Sequence, residues 1–539
     1  MPNTINIQRR KLLKYAGLTA AMAAAYPFLS YAESMAMGNQ ASKDFDPDVE
    51  IELTQEVAHV PIFKGPETRI WKVSGKVLKG PEAAIENHAE SYIAPTIRLQ
   101  KGQKVRIILK NNLPAPSILH WHGLHVPSKM DGNPMYAVDQ GQAFVYEFTI
   151  LNRAGFYWYH AHTHSVTAKQ VYSGLAGLFI VSDAEEQALD LPKGEYDVAL
   201  AIQDRSFDNQ NQLHYNNHMM QRMQGFLGDQ IMINGQPDYI LPVATRAYRL
   251  RLLNGSNSRI YKLAWDDGTP MTVIGVDGGL LEHPEQHAYM MLAPGERREI
   301  WMDFSGKPVG TELTLRSLPF ESAMHGGMHG GGMMGGRRMM GGRGMMSGGD
   351  LPLGGDYAVL KVKVSRQVQA QNKLPERLTT IKPLRLQDAA NADNPRNILL
   401  SMRHMSALLN GRSYAMDDVR PDEIIPVNTL QVITFDNGFS GGMGMGMGMG
   451  GMMAMPHPMH IHGEQFQVLR REINPGFRSG HESVAAGFVD SGWKDTVLVM
   501  PGEKVTILKP FNDYTGIFMY HCHNLEHEDM GMMRDFLIK

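Results

Sequence analysis

The sequence predicts an all-β protein of three β-sandwich domains, and three observations lead to this fold class. Short apolar runs alternate with glycine, proline and asparagine turns along the chain, and long helical periodicity is scarce. Two sequence patterns recur, as expected when a sandwich unit is duplicated. The chain of 539 residues is also too long to fold around a single hydrophobic core.

The first recurrent pattern is a glycine turn followed by an alternating strand. It reads KGQKVRI, PGERREI and PGEKVTI, at residues 101–107, 294–300 and 501–507. The second pattern pairs AGFYWYHAH with TGIFMYHCH, at residues 154–162 and 515–523. From this spacing we expect domains at residues 48–185, 186–370 and 375–539.

Two tracts rich in glycine and methionine interrupt the domains. Glycine at this density offers no regular surface for packing, so we expect an insertion at 324–349 in the second domain and another at 438–455 in the third. The tracts hold 15 of the 38 methionines, and this concentration suggests a function beyond that of a linker.

Residues 1–32 are typical of an export signal. Arg9 and Arg10 begin a basic segment, a small apolar run follows, and residues 30–32 are suited to cleavage. The paired arginines favour twin-arginine export over a Sec signal or a membrane-anchoring helix. We therefore expect the twin-arginine machinery as a partner, a periplasmic location in a Gram-negative bacterium, and no stable membrane association after cleavage.

The charge of the chain argues against nucleic acid as a partner. The formal net charge is −3, and the basic residues are scattered rather than clustered.

Cys522 is the only cysteine of the chain, so no internal disulfide can form. The thiol is then either an inert core residue or a metal ligand. It lies between His521 and His523, and successive side chains of a strand point to opposite faces. The sulfur and these two imidazoles must therefore serve different metal centres.

Eight histidines of the chain form four separate His-x-His pairs, at residues 120/122, 160/162, 460/462 and 521/523. Residues two apart on a strand point the same way, about 6–7 Å apart, so each pair can bind one metal ion or two neighbouring ions. A single pair is weak evidence because such histidines are often solvated. Four pairs, one of them flanking the only cysteine, indicate a metal cluster.

Ligands of a second kind accompany Cys522. His457, His527 and Met532 can join the thiolate, and this set matches a blue copper electron-transfer site. A thiolate with two imidazoles also suits zinc, although zinc would explain neither the methionine nor the other eight histidines. Imidazole-bound coppers beside an electron-transfer copper suit the four-electron reduction of dioxygen.

The motifs HWHG, WYHAH, HPMHIHG and HCHNLEHEDMGMM resemble the four copper signatures of multicopper oxidases, in the same order. The resemblance covers the chain beyond the signal and implies three cupredoxin-like Greek-key domains with four coppers. It implies a type 1 copper held by His457, Cys522, His527 and Met532. It also implies a trinuclear cluster, with a type 2 copper held by His120 and His460 and a type 3 pair held by His122, His160, His162, His462, His521 and His523.

The internal repeat agrees with a single type 1 site. Where the third domain has Cys522 and His527, the first domain has Ala161 and Val166. The first domain therefore keeps its cluster histidines but has no type 1 site of its own, which leaves one entry point for electrons.

Dioxygen reduction consumes protons, so carboxylates are expected near the cluster. Asp131 and Glu528 match acidic positions that the resembling family uses in proton delivery. The alternative for Asp131 is a turn residue before Gly132, and the alternative for Glu528 is a solvated surface charge.

The methionine tracts favour Cu(I) as the reductant, because thioether sulfur is a soft ligand. The second tract leads directly into His457, and this is similar to bacterial periplasmic cuprous oxidases. Met453 stands where that group has an acidic residue, and Asp417 and Asp418 are the candidates for the carboxylate instead. The candidate ligands for substrate Cu(I) are therefore Met453, Met455, Asp417 and Asp418.

We expect a multicopper oxidase that couples one-electron oxidation of Cu(I) to the reduction of dioxygen to water, for copper tolerance. One alternative is a laccase-like oxidase of phenols, which are small organic reductants. An alternative of another class is a non-catalytic periplasmic copper-binding protein.

Overall fold

The computed structural model describes residues 39–215, 218–321, 351–369, 373–403, 406–416, 418–438 and 455–539. The predicted export signal lies outside these ranges, as do tract 324–349, all but the end residues of tract 438–455, and the candidates Asp417 and Met453. In the ranges that are described, no helix has the length and apolar character needed to cross a bilayer.

The strands form six sheets in three pairs, called here the first, second and third sheet pairs. The first pair contains β1 (Val49–Val60), β2 (Thr68–Lys79), β3 (Ile85–Glu86), β4 (Ala94–Gln100), β5 (Lys104–Asn111), β6 (Leu119–His120), β7 (Gln142–Thr149), β8 (Gly155–Ala161) and β9 (Ala176–Ser182). Its sheets have the orders β2-β1-β5-β7 and β3-β4-β9-β8-β6. Alternate residues of β5 are buried, so one face of that sheet packs on the core.

The second sheet pair contains β10 (Asp197–Arg205), β11 (Gln230–Ile233), β12 (Gln236–Pro237), β13 (Ile240–Ala244), β14 (Ala247–Asn254), β15 (Tyr261–Trp265), β16 (Met271–Val276), β17 (Gly279–His287), β18 (Met290–Leu292), β19 (Arg297–Asp303), β20 (Glu312–Ser317) and β21 (Tyr357–Arg366). Its sheets have the orders β12-β11-β10-β14-β19-β16-β17 and β13-β21-β20-β15-β18. Both sheets contribute to one apolar core, which includes Leu250, Leu263 and Leu315.

The third sheet pair contains β22 (Arg396–Arg403), β23 (Ser406–Leu409), β24 (Ile424–Ile425), β25 (Thr429–Asp436), β26 (His457–Ile461), β27 (Gln467–Ile473), β28 (Thr496–Val499), β29 (Glu503–Phe511), β30 (Gly516–Cys522) and β31 (Met533–Ile538). Its sheets have the orders β23-β22-β25-β29-β27 and β24-β31-β30-β26-β28. The predicted all-β, cupredoxin-like fold class is confirmed, whereas the exact domain bounds stay a prediction.

The described helices are short and lie in connections between strands. They are α1 (Thr167–Tyr172), α2 (Ala184–Gln187), α3 (Met219–Gln224), α4 (Arg478–Glu482) and α5 (Leu525–Asp529). α1 follows β8 and α5 follows β30, and the Asp529 carboxylate accepts hydrogen bonds from the backbone N–H groups of Thr167 and Ala168, at 2.9 and 3.0 Å. These bonds join the first sheet pair to the third.

The two copies of the His-x-His repeat have the same strand pairing. β6 pairs with β8 so that His120 lies opposite His160. In the third sheet pair, β26 pairs with β30 so that His460 lies opposite His521. Residues opposite each other on paired strands have side chains close together on one face, so each sheet pair presents its histidines as a compact group.

Candidate metal centre

Eight buried histidines meet where the first and third sheet pairs adjoin. Their rings come from the ends of β6, β8, β26 and β30, and each His-x-His pair consists of one residue inside a strand and one just beyond its end. All eight side chains are shielded from solvent: His120, His122, His160, His162, His460, His462, His521 and His523.

The eight rings divide into three sets by the distances between their nitrogens. In one set, His122 Nδ1 lies 3.4 Å from His160 Nε2, and His523 completes the group. The second set consists of His162, His462 and His521, whose ligand atoms all lie within 4.8 Å of one another. This spacing allows the three rings of either set to bind one ion.

The third set has only two histidines of its own. His460 Nε2 lies 3.4 Å from His120 Nε2. The ligand atoms of His120, His460 and His122 also lie within 4.8 Å of one another, so the three sets adjoin rather than forming isolated sites.

Burial favours the neutral form of six of these rings. Loss of solvent, reinforced by the neighbouring imidazoles, lowers the pKa of six of them: His122, His160, His162, His460, His462 and His523. A neutral imidazole has a free lone pair on one nitrogen, which is the form that binds a metal ion.

The chemistry of the donors fits copper. Within the described part of the chain, neither ring nitrogen of His523 has a hydrogen-bond partner. Buried polar atoms without partners are costly, and a bound metal ion would satisfy one of these two nitrogens. Imidazole is a good ligand for copper.

A separate set of ligands surrounds the sulfur of Cys522. Its Sγ lies 3.5 Å from Nδ1 of His457 and 3.7 Å from Nδ1 of His527, and all three side chains are buried. Met532 is fully buried in the same core, and its carbonyl accepts the backbone N–H of Cys522. Burial raises the pKa of the thiol, so a metal ion is needed to stabilise the thiolate.

Comparison with known proteins gives a consistent result. Multicopper oxidase family models match residues 70–186 and 396–539. The multicopper oxidase mco of Staphylococcus haemolyticus is 30% identical over 443 residues, which cover 82% of this chain and 81% of that protein. The chain belongs to the multicopper oxidase family.

Two further relatives support this result. The laccase of Bacillus stratosphericus is 28% identical over 535 residues, covering 90% of this oxidase and 93% of the laccase. The crystal structure of McoA, a multicopper oxidase from the hyperthermophile Aquifex aeolicus, has a TM-score of 0.73 and 32% identity, covering 92% of this chain and 97% of McoA. As a family member, the oxidase binds four coppers and uses dioxygen and a reductant.

Several of the eight histidines use one ring nitrogen in a hydrogen bond to another protein group. His120 Nδ1 donates to the carbonyl of Asp131 at 2.6 Å, and His462 Nδ1 donates to the Asp131 carboxylate at 2.7 Å. Such bonds decide which nitrogen of each ring faces the metal, and they fix the plane of the ring. For His120 and His462, the nitrogen left for the metal is Nε2.

Both predicted proton carriers lie beside the histidines. Asp131 is buried, and burial raises the pKa of its carboxyl. Glu528 is only 3% exposed, with Oε2 3.1 Å from Nδ1 of His521 and Oε1 3.7 Å from Nε2 of His162. The alternative that Glu528 is a solvated surface charge is therefore wrong, whereas its role in proton delivery stays a prediction.

The candidates for a Cu(I) site are only partly brought together. Met455 is buried two residues before His457. The Asp418 carboxylate forms ion pairs with the guanidinium groups of Arg412 and Arg534, and its Oδ2 lies 2.9 Å from Nη1 of Arg534. Its negative charge is therefore already balanced by two guanidinium groups. Of the two candidate aspartates only Asp418 is described, and its ion pairs leave it poorly placed to act as a free ligand for Cu(I).

Sequence reasoning missed the helix that contacts His527. His527 Nε2 donates to the carbonyl of Met223 in α3, at 3.0 Å. Glu526, adjacent to His527, holds the segment around α3. The sequence HMMQRMQ at residues 218–224 is a methionine cluster, and this was the only signal from which the contact could have been found.

Replacing Cys522 by serine should remove the intense blue sulfur-to-copper absorption and abolish turnover, because serine offers no thiolate. The cluster coppers should remain, since His521 and His523 point away from the sulfur. Visible spectra and copper analysis test this, and the copper content should fall by one ion per chain. Ala161→Ser, at the equivalent position of β8, is the matched control and should stay blue. A blue, active Cys522→Ser protein would contradict the assignment.

Proposed function

We propose that this oxidase takes electrons singly from Cu(I) at a type 1 copper and delivers them to dioxygen at a trinuclear cluster, protecting the cell from copper. His457, Cys522, His527 and Met532 would hold the type 1 copper. His120 and His460 would hold the type 2 copper. The type 3 coppers would be held by the two sets of three: His122, His160 and His523, and His162, His462 and His521.

Bound copper supplies one-electron transfer at the first site and dioxygen reduction at the second. The chain links the two through β30, because Cys522 is bonded directly to His521 and His523. An electron leaving the sulfur therefore has a short covalent path to either set of three histidines. The backbone of one strand holds donor and acceptor at a constant separation.

The covering of His527 by α3 is the observation that carries the preference for Cu(I). The Nε2 edge of this ring is engaged by the Met223 carbonyl, so an organic reductant cannot hydrogen-bond there unless α3 moves. The same helix carries Met219, which is exposed, and Met223, which is buried. Thioethers bind Cu(I) well. The helix α3, which keeps phenols from His527, therefore offers ligands for Cu(I), the smaller reductant.

Glu526 holds this segment in place at both ends. Its Oε1 accepts a hydrogen bond from the Tyr215 hydroxyl at 2.8 Å, and its Oε2 accepts one from the backbone N–H of Phe226 at 2.9 Å. Asn257 Nδ2 also donates to Oε1, at 2.8 Å. The contact of α3 with His527 is thus maintained from the residue next to the ligand.

The alternatives have less support. A laccase-like activity on phenols is favoured by the name of the Bacillus stratosphericus relative. A non-catalytic copper-binding protein would not need all twelve ligand positions, and this chain has a suitable residue at each one.

The double variant Met219→Leu/Met223→Leu should lower kcat/KM for Cu(I) about 10-fold, the equivalent of about 1.4 kcal/mol, because leucine keeps the bulk but has no thioether. Oxidation of a small phenol should change little. Oxygen consumption with each reductant measures both.

Met290→Leu, buried in the core of the second sheet pair, is the control and should leave both activities at the parent level. Equal losses with Cu(I) and phenol, or no loss with Cu(I), would count against Cu(I) as the substrate bound at α3.

Asp131→Asn should reduce kcat by about 100-fold or more, because an amide can still accept from His462 but cannot carry a proton. Burial raises the pKa of Asp131, which favours the protonated donor form at higher pH than for an exposed aspartate. The pH dependence of oxygen consumption should change in the variant. Asp139→Asn, an exposed residue of the same connection, is the control. An unchanged pH profile for Asp131→Asn would exclude its role.

We also infer export by the twin-arginine pathway into the periplasm, on the support of Arg9 and Arg10. Changing both to lysine preserves the charge and should retain the protein in the cytoplasm, as shown by cell fractionation. Lys11→Arg is the control and should still be exported. Periplasmic recovery of the double lysine variant would contradict this route.

A further inference from the structure

The second sheet pair holds none of the predicted copper ligands, yet one of its arginines reaches the cluster. Arg297, the first residue of β19, is fully buried. Its Nη1 and Nη2 donate to Oδ1 and Oδ2 of Asp495 at 2.7 and 2.6 Å. Its Nε donates to the carbonyl of Phe156 in β8 at 2.9 Å. One guanidinium therefore binds both sheet pairs that supply the histidines.

Asp495 in turn contacts two of the cluster histidines through different groups. Its Oδ1 accepts a hydrogen bond from Nε2 of His122 at 3.1 Å. Its backbone carbonyl accepts one from Nδ1 of His460 at 2.8 Å. His122 is thereby left with Nδ1 for a metal ion, and His460 with Nε2. The Thr496 hydroxyl, which donates to Oδ1 of Asp495 at 3.0 Å, lies 3.2 Å from the same two ring nitrogens. The two rings offer opposite nitrogens for metal binding because Asp495 and Thr496 engage Nε2 of one and Nδ1 of the other.

The guanidinium is itself fixed by its own sheet pair. The carbonyl of Asp277 accepts from Arg297 Nη2 at 2.8 Å, and the Asp277 carboxylate accepts from the Arg297 backbone N–H at 2.8 Å. Lys494 Nζ donates to the Asp277 carboxylate and to Glu296 Oε1, both at 3.0 Å. These contacts leave Arg297 little freedom to adopt another rotamer.

The space for the ion pair explains the glycine of the HWHG motif. A Cβ atom on Gly123 would lie 2.5 Å from Oδ2 of Asp495 and 2.7 Å from Nη2 of Arg297. Its φ of +85° is also in the region that favours glycine. The chain therefore leaves room beside His122 for the pair.

We propose that Arg297 and Asp495 are positioning residues for the trinuclear cluster. Arg297 holds the Asp495 carboxylate, which selects the metal-facing nitrogen of His122 and orients its ring. The backbone carbonyl of Asp495 selects the metal-facing nitrogen of His460 and orients that ring. The proposal rests on the assignment of these histidines to the cluster and is independent of the reductant.

The test is Arg297→Lys in the full chain, followed by copper titration of the metal-depleted protein. Lysine keeps the charge but loses the paired donors to Asp495 and the bond to Phe156. Reconstitution of the type 2 electron paramagnetic resonance signal and the type 3 near-ultraviolet band should need about 10–100-fold more copper. The blue type 1 band should develop as in the parent.

Arg251→Lys is the matched control. Arg251 is buried in β14 and makes a similar paired contact with Asp197, at 2.6 and 2.7 Å, away from the histidines. It should lower the Tm comparably without weakening the type 2 or type 3 signals. Equal copper affinities in the parent and Arg297→Lys, or equal losses in the two lysine variants, would overturn the proposal.

A second variant covers the case in which Arg297→Lys does not fold. Arg297→Met/Asp495→Leu removes both charges, and the backbone carbonyl of residue 495 still serves His460. The type 3 band should then weaken more than the type 2 signal, because Nε2 of His122 loses the carboxylate and keeps only the Thr496 hydroxyl at 3.2 Å, whereas His460 keeps its carbonyl acceptor. Equal retention of both signals would overturn the proposal. If the parent itself showed no type 2 or type 3 copper, the proposed function would fail instead.

Discussion

The alternation of side chains on one strand is the constraint on which this oxidase depends. In β30, Cys522 faces a core shared with His457 and Met532, while the imidazoles on either side face the opposite way. No loop could guarantee this arrangement, because only the pleat of a hydrogen-bonded strand sends successive residues to opposite faces. Pairing of β30 with both β26 and β31 keeps that pleat regular.

The cluster is a property of the assembly of sheet pairs rather than of any one of them. Each set of three histidines combines rings from β8 or its end with rings from the third sheet pair. The interface is held by buried polar contacts, among them Asp529 with the start of α1 and Arg297 with Asp495. Breaking such contacts leaves unpaired buried groups, so the halves of the cluster cannot separate at low cost.

Much of the site could be predicted because copper chemistry leaves local signals. His-x-His pairs, the single cysteine and the repeat that replaces Cys522 by Ala161 are visible within a few residues of each other. The all-β fold followed from turn residues and strand alternation in the same way. The interpretation of Glu528 as a solvated surface residue is wrong because the packing of α5 buries a side chain that the local sequence alone would place in solvent.

The remaining features depend on contacts between distant parts of the chain. His527 meets the Met223 carbonyl across 304 residues, and Arg297 meets Asp495 across 198. A carbonyl acceptor has no sequence signature at all. The PGERR repeat marked a turn and a strand but could not show that the arginine in β19 faces two other sheet pairs.

The hold of Glu526 on Tyr215 and Phe226 has a consequence for the evolution of this enzyme. The described residues between those two anchor points supply none of the predicted ligands of either copper centre. Loops of another length or composition could be exchanged there without retuning the oxygen chemistry. The specificity for the electron donor and the site of dioxygen reduction can thus evolve independently within one fold.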